Sequence, residues 1–440
     1  MVDQSRSPAE TRPGGDSADH AQPPRRGAGG GTFGSLRERN YRYYAGGQVV
    51  SLTGTWMQRA AQDWLVLTLS GGSPAALGIA VALQFTPTLL LTLWAGSVAD
   101  RFDKRRILIA TQVALGLCGF ALGALDLSGI AQLWHVYVLC FVLGCFAAVD
   151  APVRQSFVVE MVGPAQLTNA VALNSMTFNL ARIVGPAIAG VAITAIGTGW
   201  VFVVNGLSSV AVVAGLLLMD PTRLHRAEGG AAERGRLLAG LRYVRGRADL
   251  VVVLVLVFCV STFGMNFEST LAVMARNEFG HNASGYGLLI TSLAVGTLSG
   301  ASLAARRSGK SGRPRMRLMF LGAAVFGALE VLAGAMPTYE LFAVALVPVG
   351  VAVMTFTTAA NSNVQLAVES TMRGRVMGLY MLLFLGGKPL GGLASGWLAE
   401  VFGPRWPILL GGALVLVAAI AGAAVLARRK SGVVEPDRLG

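Results

Sequence analysis

Six ionisable side chains interrupt long apolar stretches of this 440-residue chain: Arg59, Asp63, Arg182, Glu268, Glu330 and Lys388. A charge placed in an apolar helix is expensive, so each is a functional candidate by default. Arg59 and Asp63 stand four residues apart, about one helical turn, and on a shared face they can neutralise each other. A carboxylate held away from bulk water can take up and release a proton, and a nearby base then supplies its counter-charge. By this logic Asp63 and Glu268 are the candidate proton carriers. Arg59, Arg182 and Lys388 are candidate counter-charges or contacts for a polar solute. The competing structural role is a static ion pair that joins helices, and Arg59 with Asp63 fits that role equally well.

The elements that position these groups are long apolar runs. Of all residues 53% are apolar and 13% charged, against about 25% charged in an ordinary soluble domain. Runs at about 45–69, 75–98, 106–126, 132–153, 168–196, 200–219, 250–275, 285–305, 317–336, 339–363, 374–402 and 406–427 are each long enough, as a helix, to cross a hydrocarbon core of roughly 30 Å. Lipid satisfies no backbone group, so all must be helical. The fold class expected is an all-α membrane protein of about twelve transmembrane helices.

Charge placement orients them. Of the 36 Lys and Arg residues, 31 fall in the tails and in alternate loops on one side, and only Arg276 and Arg405 fall in loops on the other. The positive-inside pattern predicts a multi-pass inner or plasma membrane protein with both termini cytoplasmic. Trp64, Trp134, Trp200 and Trp406 stand near the opposite span ends, where an aromatic belt belongs. The net charge of +13 then reports topology, and nucleic acid is not expected as a partner.

A charged segment divides the spans six and six. The expected units are a tail at 1–40, a bundle at 41–219, a linker at 220–248, a second bundle at 249–427 and a tail at 428–440. Within the linker, Leu237, Leu238, Leu241 and Val244 alternate with Arg236, Arg242, Arg245 and Arg247 at helical spacing. This predicts an amphipathic helix on the membrane surface. The halves repeat loosely: residues 73–78 overlay 282–287, and Pro186 corresponds to Pro389. A parallel repeat with a site between halves is a transporter pattern.

Between the second and third spans the chain reads Gly96-Ser97-Val98-Ala99-Asp100-Arg101-Phe102-Asp103-Lys104-Arg105-Arg106. This resembles the hallmark loop of the major facilitator superfamily, with Gly96, Asp100, Arg101, Lys104 and Arg105 matching. Asp103 replaces the usual turn glycine, a position where Asp tolerates left-handed geometry. The resemblance implies two six-helix bundles and a latch at Asp100 that one conformer makes and the other loses. Ala172, Ala181, Gly185, Pro186, Ala189 and Gly190 resemble the family's antiporter motif, which implies export. The arginine of the family's fourth span has no counterpart, since Phe141 stands in its place. Asp150 and Arg154, at the cytoplasmic end of the fourth span, together with residues 169–182 and 373–378, resemble the enterobactin-exporter and multidrug-efflux branch. Spans three, six, nine and twelve of the family are scaffold, which lowers the rank of Glu330.

The resemblance implies alternating-access export of a small organic molecule, with the proton gradient as the energy source. The partners expected are the substrate, protons and the lipid bilayer, with a monomer as the default. An importer or facilitator of the same fold is the alternative, and a non-transporting receptor is a weaker one. Enzyme chemistry, a cofactor and a metal are not expected. No polar catalytic cluster is present, the four histidines are scattered, and the four cysteines read as small core residues. Ser308-Gly309-Lys310-Ser311 lacks the first glycine of a phosphate-binding loop, since Ala304 stands there.

Overall fold

The computed structural model describes residues 34–225, 236–308 and 316–431. The side chains of 92–100, 164–165, 236–238, 307–308 and 429–431 lie outside that description. Gly96 and Asp100, most of both tails and the phosphate-loop look-alike therefore fall outside it too.

Long helices make up the described fold: α1 (Arg39–Leu69), α2 (Pro74–Arg101), α3 (Lys104–Leu127), α4 (Leu133–Gly163), α5 (Gln166–Ile196), α6 (Thr198–Leu217), α7 (Ala248–Glu278), α8 (Ala283–Ser308), α9 (Met316–Gly334), α10 (Tyr339–Ala367), α11 (Ser370–Phe402) and α12 (Trp406–Ser431). Among the described residues, eleven helices are long and apolar enough to cross a membrane. The exception is α1, which spans its bundle but is not the apolar run expected at 45–69. Its polar residues point inward: Asn40, Gln48, Ser51, Gln58, Gln62 and Asp63 are all buried. Polar groups in a membrane helix are tolerated when they face the bundle interior.

Two helices depart from regularity. The run from Leu133 to Ile196 is divided at Gly163, whose φ of 65° is left-handed, a conformation that costs glycine nothing. Helix α4 thus extends well beyond residue 153, and Asp150 and Arg154 stand inside it rather than at a loop. Helix α7 widens into a π turn at Val260–Gly264, loses helical form at Met265 and Asn266, and resumes at Phe267–Val273. Helix α11 packs closely on this step. A Cβ on Gly391 would come 2.1 Å from the Thr262 carbonyl oxygen and 2.3 Å from Asn266 Nδ2, so the bare glycine backbone presses against the interruption.

Each half is built alike. Helices α3 and α6 pack through Gly116, Gly119 and Gly206, and α9 and α12 pack through Gly327 and Gly412. The halves meet along two seams lined by small residues: α2 on α11 through Gly78, Gly392 and Gly396, and α5 on α8 through Gly190 and Gly287. Small residues let helix backbones approach closely where lipid supplies no hydrophobic drive. Both seams lie toward the end opposite the chain termini. There Ser73 donates to Glu400 at 2.9 Å, Arg276 to Thr68 at 3.0 Å, and Asn277 to the Gly72 carbonyl at 2.7 Å.

The linker helix Arg236–Arg245 does not lie free on a membrane surface. Gly240 packs on the backbone of Arg375 in α11, and Val244 is buried. Leu237 and Leu238 lie outside the described side chains.

Candidate functional site

Five of the six charges in the apolar runs converge. Arg59 and Asp63 of α1, Arg182 of α5, Glu268 of α7 and Lys388 of α11 line one cavity of about 50 Å³, together with Trp56 and Tyr286. Five helices and both halves contribute, so the cavity sits on the interface of the two bundles. Glu330 of α9 is elsewhere, buried in the second half near Gly264, Gly411 and Gly412.

The Arg59–Asp63 pair expected from spacing is absent from the ion pairs of the described residues. The Arg59 guanidinium instead lies 4.9 Å from the centroid of Trp56, a ring it shares with Arg182 at 5.9 Å. A desolvated cation is attracted by the ring face of tryptophan, and Trp56 stands one turn before Arg59 on α1. Asp63 accepts a hydrogen bond from the Tyr286 hydroxyl of α8 at 2.9 Å. That hydroxyl is also 2.9 Å from the backbone carbonyl oxygen of Glu268. Trp64 stacks on Tyr286, with centroids 6.4 Å apart and planes 17° apart, and holds the phenol in place.

Lys388 caps the interruption in α7. Its ammonium donates to the Met265 carbonyl at 2.6 Å, an oxygen in the non-helical step. The Glu268 carboxylate, just beyond the step, lies within electrostatic reach of Lys388, Arg59 and Arg182. Half-helix ends with nearby charges at mid-membrane depth are a recurring way of building ion and solute sites.

A larger cavity of about 300 Å³ adjoins this cluster and shares Trp56 and Arg59 with it. It lies wholly within the first half and is lined by Gln48, Gln58, Gln62, Gln84, Gln112 and Gln155, with Asn174 and Asn205. The amides bond one another: Gln62 donates to Gln84 at 3.0 Å, and Asn205 donates to Gln58. Gln62 Oε1 is buried with no partner among the described residues. Charge-based reading of the sequence missed this lining, because glutamine carries no charge. The recurrence of Gln48, Gln58 and Gln62 in one helix was the available signal.

Asp150 and Arg154 also line this cavity. Arg154 donates to Asp150 and to Gln48, while Thr111 and Gln112 each donate to Asp150 at 2.9 Å. The pair thus ties α1, α3 and α4 together.

At the junction of α2 and α3, Arg101 is exposed, and Lys104 pairs with Glu160 of α4. Arg105 donates to the Leu216 and Leu217 carbonyls at 2.7 and 3.0 Å. Cations bonded to the last carbonyls of a helix satisfy its orphan acceptors. Asp103 is not in the left-handed geometry considered for it. Its φ of −62° and ψ of 112° are extended, and it caps α3 by accepting from the Arg106 amide at 3.1 Å. The substitution of the usual glycine is thereby accounted for.

Of the antiporter-like residues, Ala172 is exposed and the others line helix contacts. Ala181 and Ala189 are buried. Gly185 lies against Trp56 and Met57 of α1, the Pro186 carbonyl against Gly287, and Gly190 against Ala283 and Gly287 of α8. Across that seam Ser284 donates to the Gly190 carbonyl at 3.0 Å.

Comparison with known proteins agrees with this architecture. The profile of the transmembrane secretion effector family matches residues 30–434. The staphyloferrin A transporter of Staphylococcus aureus is 24% identical over 363 residues, covering 82% of this chain and 90% of that one. The multidrug efflux pump Tap of Mycolicibacterium fortuitum is 27% identical over 354 residues, covering 78% and 85%. Among solved structures, a bacterial homologue of the human lysosomal transporter Spinster superposes with a TM-score of 0.71 at 16% identity, covering 87% of this chain and 96% of that one. A bacterial homologue of the iron transporter ferroportin gives 0.67 at 16% identity, covering 88% and 98%. Twelve long helices in two six-helix halves, a charged site on their interface and a family match across nearly the whole length lead to one assignment: the chain is a multi-pass membrane transporter of the major facilitator superfamily and belongs to its transmembrane secretion effector family.

Proposed function

We propose that this transporter exports a small organic solute across the cell membrane in exchange for protons. The observation that carries the reading is the five-charge cavity shared between the halves. Its two carboxylates and three bases adjoin an amide-lined chamber of about 300 Å³, a volume at the small end of organic-ligand sites. The seams at the far end are closed, which, with the termini read as cytoplasmic, supports an inward-facing form that loads a solute from the cytoplasm. The small-residue motif of α5 supports export, as do the relatives named for efflux.

The test is a drug and siderophore susceptibility panel on a deletion strain, with accumulation measured with and without a protonophore. The expected result is hypersusceptibility to at least one compound class, with accumulation in the complemented strain rising to the deletion level when the protonophore is added. Unchanged accumulation of every compound would overturn export. Efflux that ignores the protonophore would overturn proton coupling.

A further inference from the structure

We propose that Tyr286 is the positioning residue that makes closure of the far-end seam depend on a proton at Asp63. The proposal rests on the proton-exchange reading and deepens it. Its basis is an imbalance of donors. The Tyr286 hydroxyl lies 2.9 Å from Asp63 Oδ2 in the first half and 2.9 Å from the Glu268 carbonyl oxygen in the second. A phenol has one proton to donate, yet both neighbours are acceptors when Asp63 is ionised. One of the two close contacts is then oxygen against oxygen with no hydrogen between. When Asp63 carries a proton, the count closes. The acid donates to the phenol oxygen, and the phenol donates to Glu268.

The closed arrangement therefore holds two hydrogen bonds with the proton and one without it. Loss of a single buried hydrogen bond shifts a two-state equilibrium by roughly tenfold. The direction suits exchange. A proton taken up at Asp63 favours the form closed at the far end, and its release to the cytoplasm lets a loaded carrier open outward.

Other groups face Asp63 as well. They are Arg59 on its own helix, Glu268 of α7, Lys388 of α11, Arg182 of α5 acting through Glu268, and the Cys140 thiol of α4. None of these, in this arrangement, donates a hydrogen bond to Asp63; Tyr286 does. Phenylalanine at position 286 would keep the stack on Trp64 and remove only the hydroxyl.

The test measures closure directly. Spin labels at Ser128→Cys and Glu340→Cys, exposed sites in different halves near the far end, report the seam by pulsed dipolar distances in the full-length protein in lipid nanodiscs. From about pH 5.5 to about pH 8.5 the closed-to-open ratio of the otherwise wild-type protein should fall by roughly tenfold. Asp63→Asn, whose amide donates as the protonated acid does, should stay closed throughout. Tyr286→Phe should show little response to pH. If Tyr286→Phe keeps the wild-type profile, the tyrosine is a bystander and the proposal fails while proton exchange stands. If Asp63→Asn keeps the profile, or the otherwise wild-type protein shows none, the proton reading at Asp63 fails with it. A second measurement guards against a poorly folded single variant. Adding Tyr286→Phe to Asp63→Asn should lower the closed population, and no change there also overturns the proposal.

Discussion

The Lys388 ammonium of α11 donates to the Met265 carbonyl of α7, 2.6 Å away, at the step where α7 ceases to be helical. A backbone acceptor freed from its helix and buried at membrane depth must find a donor or cost several kcal/mol. The lysine meets that need, and its charge faces Glu268. Lys388→Met should therefore lower thermal stability in detergent, by about 1–3 kcal/mol, and also reduce transport. Lys388→Arg should recover part of the stability. A Lys388→Met protein as stable as wild type would show that the α7 step is held by α11 glycines alone.

Glycines within a half and glycines between halves should respond differently to the same change. A Cβ at Gly296 would lie 2.0 Å from the Val347 carbonyl oxygen, and both belong to the second half. Gly296→Val should thus destabilise every conformer and reduce folded yield. A Cβ at Gly190 would lie 2.8 Å from the Ala283 carbonyl oxygen across the α5–α8 seam. Gly190→Val should preserve folded yield, abolish transport and favour the form open at the far end. Folded yield and far-end accessibility to an impermeant thiol reagent check both claims.

Asp150 and Arg154 of α4 form a largely buried pair with bonds to two further helices, α1 and α3. Asp150→Ala leaves the arginine buried and uncompensated, which typically costs about 3–5 kcal/mol. The outcome expected is a large fall in unfolding temperature, read by intrinsic fluorescence. Removing the exposed α3 cap by Asp103→Ala should cost only about 1 kcal/mol. Equal losses in the two variants would contradict the structural role given to the pair.

Glu330 is buried, away from the five-charge cavity, and its Oε2 has no partner among the described residues. Glu330→Gln keeps the shape and removes the titrating group. Proton-driven transport in everted vesicles should stay within about twofold of wild type, a shift well under 1 kcal/mol. Asp63→Asn should abolish the dependence on the proton gradient in the same assay. A Glu330→Gln variant that loses coupling would place a proton site in the scaffold helix.

Much of this molecule could be read along the chain because membrane insertion is a local problem. Span lengths, alternation of basic loops and the halfway linker each depend on residues close in sequence, and the helices stand where the apolar runs are, apart from the polar α1. Charges inside the apolar runs, Arg59, Asp63, Arg182, Glu268 and Lys388, were visible as exceptions to the same rule. Glutamines were not, because an amide in a membrane helix costs far less than a charge.

Partnerships were another matter. Spacing put Arg59 beside Asp63, yet Asp63 bonds to Tyr286, 223 positions later, and Arg59 turns to Trp56. The carbonyl that Lys388 serves is freed where α7 steps out of helical form against α11, and no periodicity in α7 itself announces that step. A side chain's energy in a low-dielectric interior is set by the few groups it touches, and in a two-bundle fold those groups come from distant helices. Composition and order were enough to specify a twelve-helix transporter; which donor meets which acceptor was decided by how the two halves close on each other.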